Sequence, residues 1–181
     1  MTRSLRYHHN REKGHTLAET PAALWVTFVC LFFPLFCLTT CLLRYSFLVT
    51  AAHEAAYEAA ISKTFSTDVS ATDLCATKTA DNIANSVAHS FSGITVQNVS
   101  TQIIRSDSQT SDIHVYTTKL PTPADTSRYV YLLETTVRGS ILPIIQGHSE
   151  GLFGTIPGLT APMVVQATSR KVSENPQGLN L

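Results

Sequence analysis

Three sets of residues in this chain have types and spacing that could do chemistry. Gly147-His148-Ser149-Glu150-Gly151 fits G-x-S-x-G, the turn that lifts a nucleophilic serine above a sheet for acyl transfer. That chemistry needs a helix after the turn and a later histidine as base. Leu152-Phe153-Gly154-Thr155-Ile156-Pro157-Gly158 is no helix start, and no histidine follows His148. The stretch therefore reads as a loop. His53-Glu54 opens like the zinc-binding H-E-x-x-H helix, but Tyr57 stands where the second histidine ligand belongs. His8, His9 and His15 sit in a basic tail with no Cys or acidic residue spaced to complete a metal shell. No glycine-rich phosphate loop and no paired carboxylates appear elsewhere. The expectation is that the chain is not an enzyme, holds no cofactor or metal, and acts by association.

Association needs elements that hold surfaces in place, and the dominant one is Thr20 to Leu43, TPAALWVTFVCLFFPLFCLTTCLL, which contains no Asp, Glu, Lys, Arg or His. As a helix it rises about 36 Å, against a hydrocarbon core of roughly 30 Å. A soluble core helix would keep a polar face, whereas Phe28, Leu31, Phe32, Leu35, Phe36, Leu38, Leu42 and Leu43 point in all directions. A signal peptide would be shorter and end in a small-x-small cleavage site, but this stretch runs into Cys41-Leu42-Leu43-Arg44-Tyr45. A retained membrane span is expected, kinked at Pro34 where a backbone donor is lost.

Charge orients the span. Of thirteen Lys/Arg and thirteen Asp/Glu, four and two precede it, leaving nine against eleven beyond. The positive-inside rule places the N-terminus in the cytoplasm and Arg44 onward outside. The outer part has no basic excess, so nucleic acid is not an expected partner. Cys30, Cys37 and Cys41 fall within the span and Cys75 stands alone beyond it, so no intrachain disulfide staples the outer domain. Its roughly 115 residues suffice for one small domain with its own core.

From Arg44 no Gly or Pro intervenes for many residues, so the helix should continue outward. Ala52, Ala55, Ala56, Ala59 and Ala60 match the i, i+3, i+4, i+7, i+8 template, a stripe that lets another backbone approach closely. After a loop at Ser66–Thr72, Thr72 or Asp73 is placed to cap a second helix reaching about Ser90, with Ala80, Ile83, Ala84, Val87, Ala88 and Phe91 on one side and Gly93 as its stop. From Ile94 the period falls to two. A first strand slips phase near Asn98, as a bulge would cause. Arg105–Thr110 reads as a turn, Ile113–Thr117 as a second strand, Arg128–Arg138 as a third and Met163 to about Val172 as a fourth. Helices first and strands after predict an α+β fold: a membrane helix extending into a long helix, a second helix, and a four-stranded antiparallel sheet.

One further spacing precedes the span. In Lys13-Gly14-His15-Thr16-Leu17-Ala18-Glu19 a basic residue and a glycine are followed, five residues after that glycine, by a carboxylate at the edge of the apolar stretch. This resembles the processing site of type IV pilin-like proteins. The resemblance implies that a prepilin peptidase cuts between Gly14 and His15, and that Glu19 pairs with a neighbouring subunit's new N-terminus. A carboxylate at the hydrocarbon edge is costly unless a cation meets it. The charged leader, the single span, the A-x-x-A-A continuation, the short second helix and the strands ending in Ala167-Thr168-Ser169-Arg170 look like the TadE/TadG group, pseudopilin-like proteins of tight-adherence pilus systems. Thr20-Pro21 departs from the aromatic or aliphatic residues that usually follow the Glu, and Pro21 suits a helix's first turn.

The expected organisation is a leader at 1–14, a long helix at 15–64 with its span at about 20–43, and an exoplasmic α+β domain at 65–181. The resemblance implies a single-pass component of a pilus-assembly or secretion machine in a bacterial inner membrane. Its partners would be membrane lipid and other pilin-like or pilus-platform subunits, with Ala52, Ala55, Ala56, Ala59 and Ala60 as helix-packing residues. The alternative is a membrane-anchored module whose outer domain binds a ligand as a sensor.

Overall fold

A computed structural model describes residues 20–66, 75–144 and 156–181. Helix α1 spans Thr20–Ile61 and helix α2 Ala76–His89. Strands β1, Ile94–Asp107, β2, Ile113–Tyr116, β3, Tyr129–Ile141, and β4, Met163–Val172, follow, and a 3₁₀ turn at Pro176–Asn180 ends the order. The α+β fold expected from the change of period is the one observed.

Helix α1 is about 63 Å long at 1.5 Å per residue, and it changes surroundings along its length. Its N-terminal half is long and apolar enough to cross a membrane, and the most apolar stretch is almost entirely unburied. Phe28–Phe32 forms a π-helical turn in which the Phe33 N–H donates to the Phe28 carbonyl. Pro34 explains it: the ring has no N–H and crowds the carbonyl four residues back, and a wider turn just before it absorbs both faults. The sequence-expected kink site is thus a local widening. The hydroxyls of Thr27, Thr39 and Thr40 donate to the carbonyls of Ala23, Leu35 and Cys37 at 2.9, 2.9 and 2.8 Å. These hydroxyl donors stay satisfied within the helix, as a lipid environment demands.

The sheet runs β2-β1-β3-β4, all antiparallel. The phase slip expected near Asn98 is a bulge between Val96 and Asn98. Two boundaries differ from the sequence reading. Strand β1 continues through Arg105 and Ser106 to Asp107, because both residues pair on either side, with Tyr131 and Val130 of β3 and with His114 and Ile113 of β2. The Arg105 guanidinium lies over the Tyr129 ring at 4.5 Å and the Tyr116 ring at 5.4 Å, which holds an apparent turn residue in extended backbone. Strand β3 likewise runs past Arg138 to Ile141. Gly139 does not break it, since the missing side chain is what admits Leu48: a Cβ there would lie 3.0 Å from Leu48 Cδ1.

Both helices cover one face of this sheet, α1 over β3 and β4 and α2 over β1. One buried cluster joins Leu48, Ala52, Ala55 and Ala59 of α1, Ala76, Ala80, Ala84 and Ala88 of α2, and Ile103, Leu133, Val137 and Ala167 of the sheet. With only methyl groups between them the helices can approach at the short end of the usual 8–10 Å. The C-terminal half of α1 is therefore core. The chain's last residues, whose structure was not expected from their pattern, close the far end: the Glu174 N–H donates to the Ala60 carbonyl at 2.9 Å and Asn175 Nδ2 to the Ile61 carbonyl at 3.0 Å, satisfying the last turn of α1. The Phe65 and Leu120 N–H groups bond the carbonyls of Gly178 and Leu179.

Candidate functional site

Gly14, His15 and Glu19 lie outside the described residues, as do Thr72, Asp73 and the G-x-S-x-G stretch. Ala52, Ala55, Ala56, Ala59 and Ala60 are all buried, and with Ala51 they form the face of α1 turned toward the domain. Their small side chains are taken up inside the fold of this one chain. What α1 offers to other molecules is its opposite side and its N-terminal half, where Leu24, Trp25, Val26, Phe28, Leu31, Phe32, Leu35 and Phe36 are exposed.

The domain-facing stripe begins earlier than the alanines. Cys37 and Cys41 are 1% and 4% exposed, whereas Leu38, Leu42 and Leu43 between and beyond them are 57–59% exposed. The cysteines are covered by protein: Cys41 Sγ lies 3.0 Å from the Gly158 carbonyl. One turn on, the Arg44 guanidinium donates to the Leu142 carbonyl and packs under Gly93, whose φ of +84° and close approach to Arg44 leave no room for a side chain. Phe47 stacks on Phe91 with ring centroids 3.5 Å apart. Three connections therefore meet α1 at its midpoint: the α2–β1 turn, the end of β3 and the approach to β4. Sequence reasoning placed Cys37 and Cys41 within the span and missed this junction. The signal was present, because Cys37, Cys41, Leu48 and Ala52 share one face at spacings of four and seven.

No family model, curated protein or solved structure matches the chain.

Other chemistry-bearing groups are accounted for locally. His53 Nδ1 and Glu54 Oε1 lie 3.9 Å apart with both side chains half exposed, and among the described residues no group of three His, Cys, Asp or Glu is placed to hold a metal. At the far end of the sheet, Asp107 holds the β1–β2 turn. Its carboxylate accepts from the Gln109 N–H at 2.8 Å and from Arg128 Nε at 2.8 Å. The Gln109 amide first, and then the guanidinium, pull its pKa down to about 2. Asp125 is lowered as well, chiefly by the Ser127 hydroxyl. On the open face, Glu134 is buried and accepts from Gln102 and Arg170. A cleft of about 430 Å³ lies between α2 and β1, lined by Thr77, Lys78, Asp81, Val99 and Thr101 among others. It contains no nucleophile–base pair of the kind acyl or phosphoryl transfer requires.

Proposed function

We propose that this chain is a single-pass membrane subunit, pseudopilin-like, of a pilus-assembly or secretion machine. Its N-terminus is cytoplasmic, its α+β domain exoplasmic, and it works by association with other subunits. One observation carries the reading. Helix α1 has the exposed apolar surface of a membrane span in its first half and the core of the outer domain in its second, with no linker between. A chain built this way moves its outer domain as one body with its membrane segment, which is what a subunit handed between membrane and assembly requires. The basic leader gives the orientation, and Gly14, His15 and Glu19 supply the expected processing and pairing positions.

The test is Glu19→Ala. If Glu19 meets a neighbour's α-amino group at the membrane edge, its loss leaves that cation unpaired at a cost of a few kcal/mol, roughly a hundredfold in association. Crosslinking in intact membranes should then lose partner adducts while insertion is unchanged. Adducts at the wild-type level would remove the pairing mechanism. The second reading, a ligand-binding module on a membrane anchor, is favoured only by the cleft at Thr77, Asp81 and Thr101. It requires small-molecule stabilisation of the domain that Asp81→Ala abolishes.

A further inference from the structure

The end of the outer domain that meets α1 is chemically unlike the rest of it. The described residues that build it, 91–96, 139–144 and 156–165, include no Asp, Glu, Lys, Arg or His; residues 145–155, with His148 and Glu150, lie outside the described residues. Ile144 and Ile156 are 45% and 44% exposed there, and Phe91 and Pro157 are exposed beside them. Ile94, Ile141 and Met163 pair in register, so three strand ends finish at one level. That level is fixed against α1 by Cys41 and Arg44. On its outward side α1 is still apolar here: Leu42, Leu43, Tyr45 and Val49 are exposed. Among the described residues, the uncharged surface of this end and the apolar helix surface are thus continuous. Moving away from this end, the first Asp, Glu, Lys, Arg or His met on the nearest elements is Arg44 on α1, His89 on α2 and Arg138 on β3. Arg138 stands about 10 Å along β3 from Ile141, a suitable height for lipid phosphates above the acyl boundary.

We propose that this end, with Phe91, Leu142, Ile144, Ile156, Pro157 and Leu159, seats in the headgroup and acyl boundary of the exoplasmic leaflet that α1 crosses. The domain then rests on the bilayer instead of standing clear of it. The inference rests on α1 spanning a bilayer and adds the domain's depth. Cys37 to Leu43 is about 9 Å of helix rise. If the hydrocarbon reaches Leu43 on the outward side, the Gly158 turn beside Cys41 is necessarily at interfacial depth. Apolar surface entering about 5–10 Å at that boundary is the ordinary mode of interfacial binding.

The experiment uses the full chain in phosphatidylcholine vesicles containing a minority of phosphatidylglycerol, with and without bromine near the headgroup end of one acyl chain. Tryptophan emission is read from the wild type, whose only indole is Trp25, and from Ile144→Trp, Ile156→Trp and Val115→Trp, each with Trp25→Phe. Val115 is an exposed residue of β2, at the opposite end of the sheet. Trp25 should be quenched because it lies in the span. The indoles of Ile144→Trp and Ile156→Trp should be quenched by the brominated lipid, because the seat puts them at the headgroup boundary, and that of Val115→Trp should be unaffected. Quenched Trp25 with unquenched Ile144→Trp and Ile156→Trp overturns the seating and leaves the span standing. Unquenched Trp25 overturns both. Equal quenching of Val115→Trp overturns an oriented seat. Circular dichroism of each variant confirms the fold, and either isoleucine position suffices alone.

Discussion

Leu48→Ala is the perturbation that most sharply probes whether the second half of α1 is domain core. Leu48 is fully buried, the largest such side chain on the helix, and it fills the space left by Gly139 on β3. Removing three carbons forfeits about 2.4 kcal/mol of transfer energy at about 0.8 kcal/mol per methylene. The residual cavity raises the cost to about 3–5 kcal/mol, because a helix pinned by Cys41, Arg44 and the alanine stripe cannot collapse into the gap. For a chain of this size that is a fall in Tm of about 6–20 °C. The coupling with Gly139 is the stricter test. Gly139→Ala alone should destabilise, since its Cβ would lie 3.0 Å from Leu48 Cδ1 and 3.1 Å from the Thr95 carbonyl. In the Leu48→Ala background the first conflict vanishes and the new methyl fills part of the hole. The double variant should then be about 1 kcal/mol or more better than the sum of the single changes. The assay is thermal unfolding of the full chain in micelles, followed by loss of sheet protection. A Leu48→Ala effect below about 0.5 kcal/mol, or strictly additive changes, would refute the packing described here.

Three other outcomes follow from the same structure. Asp107, with its folded pKa near 2 against about 3.9 unfolded, stabilises the fold above about pH 4 and loses that contribution as pH falls toward 2; Asp107→Asn should lower stability at neutral pH and flatten this acid limb, and an unchanged acid limb would contradict the assignment. Gly178→Ala places a methyl on the Lys63 carbonyl, so it should release the C-terminal turn, cost about 1–3 kcal/mol and expose Phe65 and the end of α1 to protease; wild-type resistance would refute the clamp. A reporter fused after Leu181 should be active only on the exoplasmic side, and cytoplasmic activity would reverse the orientation.

Period made much of the architecture legible. The all-round apolar run, the alanine template and the change from a 3.6 to a 2.0 repeat at Ile94 are local signals that fix the type of each element. The slip at Asn98 even located the bulge. What stayed hidden depends on contacts between distant residues. Arg105 and Ser106 have turn-like composition, and only pairing on both sides with Tyr131 and His114 and with Val130 and Ile113 makes them strand. Gly139 looks like a strand breaker until Leu48 is placed against it. Cys37 and Cys41 read only as small apolar residues of the span, because the turn at Gly158, which meets Cys41, comes more than a hundred residues later. The tail has no periodicity and is ordered by distant partners: Glu174 and Asn175 donate to the Ala60 and Ile61 carbonyls, and the Gly178 and Leu179 carbonyls accept from the Phe65 and Leu120 N–H groups.

The central claim is that membrane span and domain core are one unbroken helix, and hydrogen exchange on the full chain in lipid nanodiscs tests it most directly. Amides from Phe33 to Ala60 should be protected without a gap, by lipid in the first part and by the sheet and α2 in the second. Fast exchange confined to the stretch between Leu43 and Ala51 would reveal a flexible joint there and contradict the account.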